Sequence, residues 1–130
     1  MQWDLSSLPT TATVVSATLS VYVTDTSTGL YNVYALTHAW SASTVTWDSL
    51  NPTASLGTLI GHIPPGGATG WRHIILNSDG IALVQGWIHG TQPNNGIGIV
   101  DAKTTDDLRL RSSEDSTVAQ RPKLTIQYQP

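Results

Sequence analysis

The chain has 130 residues, enough for one domain that buries roughly two-thirds of the surface its unfolded form exposes. Charged residues make up 12% of it, about half the usual share, and Ser and Thr together are about a quarter. The formal net charge of −3 forms no block or stripe, which argues against nucleic acid or an anionic membrane as partner, and no apolar run is long enough to span a bilayer.

Cysteine is absent. A core of this size stands without disulfides, so either redox compartment is open to it. No secretory leader precedes the first strand-like run, Gln2-Trp3-Asp4-Leu5. The chain is therefore expected either to have lost an upstream region or to begin within its architecture. In that run Trp3 and Leu5 share one face, and Ser6-Ser7-Leu8-Pro9 ends it.

The clearest strand follows. Val15, Ala17, Leu19, Val21 and Val23 are expected to point one way and Ser16, Thr18, Ser20, Tyr22 and Thr24 the other, a period of two. Asp25 to Gly29 is turn chemistry. Leu30 to Leu36 reads as a strand apolar on both faces, as a central position requires. Thr44-Val45-Thr46-Trp47 is expected to be a short extended piece ending at Asn51-Pro52, and Leu56 to Ile63 a further strand stopped by Pro64-Pro65-Gly66-Gly67. Trp71 to Leu76 is extended again.

From Ser78 to His89 the period changes. Ile81, Val84 and Ile88 recur at helical spacing, with Asn77 or Ser78 as N-cap and Gly90 where a C′ glycine belongs. His89, near the end of this helix, is expected to meet its terminal carbonyls. Gly96 to Asp101 reads as a strand with Ile97 and Ile99 inward. In the last quarter two alternating runs close the chain: Leu108 and Leu110 against Arg109 and Arg111, then Leu124, Ile126 and Tyr128 against Lys123, Thr125 and Gln127. Glu114 and Arg121 are placed to pair across these last strands. Short strands separated by turn signals predict a single all-β domain over 1–130, an antiparallel jelly-roll β-sandwich with one short α-helix at about residues 78–89.

Several segments, in order along nearly the whole chain, resemble the DNRLRE domain family of extracellular bacterial and archaeal proteins. They are Trp3-Asp4-Leu5-Ser6-Ser7-Leu8-Pro9, Ala17-Thr18-Leu19, Trp40-Ser41 with Thr44-Val45-Thr46-Trp47, Val84-Gln85-Gly86-Trp87 with Gly90, Pro93-Asn94-Asn95-Gly96, Leu110-Arg111-Ser112-Ser113-Glu114 and Arg121-Pro122-Lys123-Leu124. The resemblance implies a jelly-roll sandwich of cell-surface and secreted proteins, with no catalytic residues to carry over; some similar domains are carbohydrate-binding modules attached to polysaccharide lyases. Members usually have one more strand region ahead of the position of Gln2. Its absence implies a gap where a strand should pair.

The residues offer little catalysis. His38, His62, His73 and His89 are scattered and lack metal-ligand spacing. Asp101, Asp106, Asp107, Glu114 and Asp115 lie close in sequence near strand ends and Asp79 precedes a glycine, and loop Asp is ordinarily turn and cap chemistry. They match no EF-hand loop, so no cofactor is expected and calcium is the one ion these carboxylates suit. No Gly-x-Ser-x-Gly is present. Trp40, Trp47 and Trp87 fall on apolar-periodic positions and are expected in the core.

The expectation is a non-enzyme, extracellular or on the cell surface: a structural or assembly module of a surface protein or filament. It would associate with itself or with neighbouring domains, a missing strand being supplied by complementation at an assembly edge of Gln2, Trp3, Asp4 and Leu5. The alternative is a carbohydrate-binding module of a polysaccharide-active protein, with Tyr22, Tyr31, Tyr34 and Trp71 as stacking rings.

Overall fold

Alternation along one long strand organises the molecule. The computed structural model describes residues 1–102 and 105–130. In it β1 (Thr13–Asp25) is the axis of the first sheet. On one side Thr18 to Val23 pairs with β4 (Gly70–Ile75). On the other, its first part pairs with β7 (Lys123–Gln129) and its end with β6 (Arg109–Leu110). The second sheet has β2 (Tyr31–Leu36) at its centre, between β3 (Leu56–Ile63) and β5 (Ile97–Asp101). Every pairing is antiparallel. The fold is an all-β sandwich, as expected.

The two inner faces supply the core. Ala17, Leu19, Val21 and Val23 of β1 are buried with Val33, Ile60, Ile63 and Ile97 of the other sheet. α3 (Ser78–His89) adds Val84, Trp87 and Ile88. It begins and ends as its caps dictate: Asn77 Oδ1 accepts from the Gly80 amide at 3.0 Å, and Gly90 takes the left-handed conformation at φ 72°.

Several expectations are corrected. Val15 does not point inward; it is 52% exposed, whereas Val14 is buried. The register against β7 slips between Val14 and Ser16, a bulge that puts one extra residue in β1 and turns the alternation over. Upstream of the bulge, the Gln85 side chain of α3 takes the place of a strand partner. Its Oε1 accepts from the Val14 amide and its Nε2 donates to the Ala12 carbonyl, both at 2.7 Å. His89 likewise faces the Ala12 carbonyl, with Nε2 at 3.0 Å, rather than its own helix end.

The segment through Trp47 is helical where an extended piece is expected. α1 (Trp47–Leu50) and α2 (Pro52–Ser55) are single turns. Thr46 and Ser49 form a reciprocal capping box, and Pro52 opens the second turn with its φ already helical. Trp47 is consequently 56% exposed, not core; Trp40 is half-buried and donates Nε1 to the Asn95 carbonyl at 2.6 Å, while Trp87 is buried as expected. Gln2 to Leu5 is not a strand. Only Met1 pairs, exchanging two 2.8 Å bonds with Ile97. At the other end Arg121 donates to the Asp115 carbonyl at 2.9 Å, and the ion pair is Arg111 with Asp115 at 3.2 Å rather than Glu114 with Arg121.

Candidate functional site

The outer face of the first sheet carries the side chains that β1, β4 and β7 turn away from the core. Opposed residues share a face, so the registers build this surface row by row. Tyr22 lies opposite Trp71. Ser20 lies between His73 and Lys123, and Thr18 between Ile75 and Thr125. Ser16 lies opposite Gln127 and donates its hydroxyl to that side chain at 2.9 Å. One broad strip results, aromatic at one end and hydroxyl-bearing along its length.

Trp71 is the hub of the aromatic end. Tyr22 meets it edge-on, with centroids 5.4 Å apart and planes at 88°. The His73 ring lies nearly parallel to it, at 6.3 Å and 11°. Lys123 reaches across β1 to set its ammonium 4.7 Å from the Trp71 centroid, a cation–π contact. This crowding explains an anomaly: Ser20 faces outward yet is only 6% exposed, its hydroxyl 2.7 Å from His73 Nδ1. The same strip carries Ile75, 75% exposed, so an apolar surface stands beside the rings in water.

Of the four rings singled out in the sequence, the sandwich brings two together and separates two. Tyr22 and Trp71 form the pair above. Tyr31 packs against the core and donates its hydroxyl to the Asp106 carbonyl at 2.8 Å. Tyr34 lies on the second sheet, its hydroxyl accepting from Asn32 at 3.2 Å, with His62 bonded to the same Asn32. The candidate edge residues are engaged within the chain. Gln2 donates to the Asn94 carbonyl and Trp3 Nε1 to that of Pro122; the Trp3 carbonyl accepts from Asn94 at 2.7 Å, and Asp4 accepts from the Ser6 amide at 2.9 Å. Leu5 packs on the core and accepts from the Leu8 amide at 3.0 Å.

His73 and Lys123 are parts of the strip that sequence reasoning missed. Alternation puts Lys123 on an outer face, but only the sheet register brings it and His73 beside Trp71. Two of the carboxylates hold local turns. Asp106 accepts from the Thr28 amide and hydroxyl at 2.7 and 3.0 Å, and Asp115 from the Thr117 amide at 2.8 Å, which holds its carboxyl below the usual range. Among the described residues no three His, Asp or Glu side chains converge as a metal would need. Concave space lies elsewhere, as in a cleft of about 410 Å³ between β3 and α3 lined by Thr37, Thr58, Asp79 and Gln92, but that cleft has no aromatic ring.

The strip thus gathers the half-buried rings of Tyr22 and Trp71, the exposed His73 and a row of hydroxyls on one sheet face. The family model for carbohydrate-binding module family 96 matches residues 1–128. No curated protein and no solved structure matches the chain. Since the match takes in both sheets and α3, leaving out only Gln129 and Pro130, the chain belongs to carbohydrate-binding module family 96.

Proposed function

We propose that this module binds polysaccharide on the outer face of its first sheet, centred on Trp71. The observation that carries the reading is the cluster of Tyr22, Trp71, His73 and Lys123 on the outer face of that sheet. A pyranose presents C–H groups on its face and hydroxyls on its rim. The C–H face suits the electron-rich face of an indole, through dispersion and the ring quadrupole. The rim suits the hydroxyls of Thr18 and Thr125 and the ammonium of Lys123. For a sugar to stack, Lys123 swings off the Trp71 ring. Leaving an exposed cation–π contact costs only about 0.5–1 kcal/mol, and the ammonium then stands at the rim as a donor.

Such a module holds an attached protein on its glycan and does no chemistry itself. Polysaccharide of this kind is met outside the cell, where we place the protein; no described helix is long and apolar enough to cross a membrane.

Affinity electrophoresis of the purified chain against neutral and acidic polysaccharides tests the reading. Trp71→Ala is expected to weaken binding to the retarding glycan by tenfold or more, since stacking and its supporting contacts go together, and Tyr22→Ala by severalfold. The outward position of Trp71 leaves the fold intact in both variants, to be checked by circular dichroism. Retardation unchanged by Trp71→Ala would remove this face as the binding site.

A further inference from the structure

Among the outward residues of β1, Ser20 alone is closed off from water; Ser16, Thr18 and Tyr22 stay half-exposed. It sits between His73 on β4 and Lys123 on β7. Its hydroxyl has one partner among the described residues, His73 Nδ1 at 2.7 Å. A hydroxyl carries one hydrogen and two lone pairs. A buried donor hydrogen without an acceptor is costly, whereas a spare lone pair is tolerated more readily. Ser20 therefore donates and Nδ1 accepts. In a neutral imidazole one nitrogen accepts and the other carries the hydrogen. The hydrogen of His73 is thus on Nε2.

The ring is also held in place. His73 and Trp71 stand two residues apart on one face of β4, with planes at 11° and centroids 6.3 Å apart. Turning the imidazole over would set a carbon against the Ser20 hydroxyl and break their bond. Nδ1 accordingly stays on the Ser20 side. His73 is exposed, and among the described residues nothing bonds its Nε2. A fixed N–H donor stands beside the Trp71 ring with no use inside the fold.

We propose that Ser20 locks His73 as a donor-only arm of this face, and that its Nε2–H reads an acceptor oxygen on the rim of a sugar stacked on Trp71. The inference rests on the reading of the strip as a polysaccharide surface and adds to it the residue that selects the rim. The chemistry it recognises is an oxygen with a free lone pair beside the stacked ring. A sugar with only C–H at that place leaves the donor unpaired and is disfavoured. Lys123, on the other side of Ser20, also donates only, so both side chains select the same kind of rim.

Two amide substitutions separate the two nitrogens of the ring. An Asn amide reaches about as far as Nδ1 and a Gln amide about as far as Nε2. His73→Asn keeps a partner for Ser20 and loses the outer donor; His73→Gln does the reverse. Affinity electrophoresis uses whichever of β-glucan, xylan, galactomannan and pectate retards the unaltered chain most. His73→Asn is expected to weaken binding about three- to tenfold, the size of one lost hydrogen bond, and His73→Gln to stay within about twofold. Equal losses, or the larger loss in His73→Gln, overturn the proposal and leave His73 a structural partner of Ser20. Long-range proton–nitrogen NMR of the free protein reads the lock without any glycan. It is expected to show Nε2 protonated in the neutral ring, and a mixture of the two forms in Ser20→Ala; a proton on Nδ1 of the unaltered chain overturns the lock. Trp71→Ala tells the two failures apart. If it abolishes retardation and His73→Asn does not reduce it, the face binds glycan and the role of His73 alone is overturned. If Trp71→Ala changes nothing, the polysaccharide surface and the His73 contact fall together.

Discussion

Val14 and Val15 are neighbours of one chemical type with opposite fates, 7% and 52% exposed. A strict period of two assigns Val15 to the core, and nothing local in Thr13-Val14-Val15-Ser16 announces the bulge, because a bulge is a property of the pairing with β7. Side-chain truncation separates the two readings. Val14→Ala is expected to cost about 1–3 kcal/mol from lost burial and the cavity left, while Val15→Ala stays within about 0.5 kcal/mol. Urea midpoints measure both; a Val15→Ala loss as large as that of Val14→Ala would mean that no bulge is present. The same limit applies to the aromatic strip. Tyr22 and Trp71 were readable as outward aromatics, but Lys123 and His73 join them only through a register that no single strand contains.

At the scale of elements, what was legible is what carries its own punctuation. β3 is bounded by Leu56 and Ile63 as read, with prolines after it, and α3 by Asn77 and Gly90. α1 and α2 were not legible, since four residues show no periodicity; their only mark is the Thr46–Ser49 box and Pro52. α3 also shows a cap doing two jobs. While Asn77 Oδ1 receives the Gly80 amide, its Nδ2 donates to the Leu59 carbonyl of β3 at 3.0 Å, tying the helix start to the sheet. Asn77→Ala removes both bonds and is expected to cost about 1–2 kcal/mol. Asn77→Asp keeps the acceptor and sets a negative charge at the helix N-terminus, where it is favourable, so it is expected to recover more than half of that loss. If Asp is no better than Ala, the tie to Leu59 and not the cap is what matters.

For the whole molecule, the sandwich sets the aromatic strip on the outside of the first sheet and the Met1–Ile97 bridge on the second, so changes at one are expected to add to changes at the other without coupling. The Met1 bridge supplies a pH signature of the second sheet alone. Burial lowers the Met1 amino group from 8.0 to about 6 in the folded chain. Between those values the unfolded chain binds more protons than the folded one, so stability rises with pH across that window and falls as pH drops through it. A shift of this size is worth at most about 2–3 kcal/mol, and less if Met1 detaches from Ile97 locally instead of unfolding the sheet. Urea unfolding of the 130-residue chain at pH 5.5 and 8.5 is expected to show the higher stability at pH 8.5. Nα-acetylation leaves an amide that still donates to Ile97 but cannot titrate, so it is expected to remove this part of the pH dependence. A slope unchanged by acetylation would place the titrating group elsewhere and leave Met1 without a cost for its seat on the edge of β5.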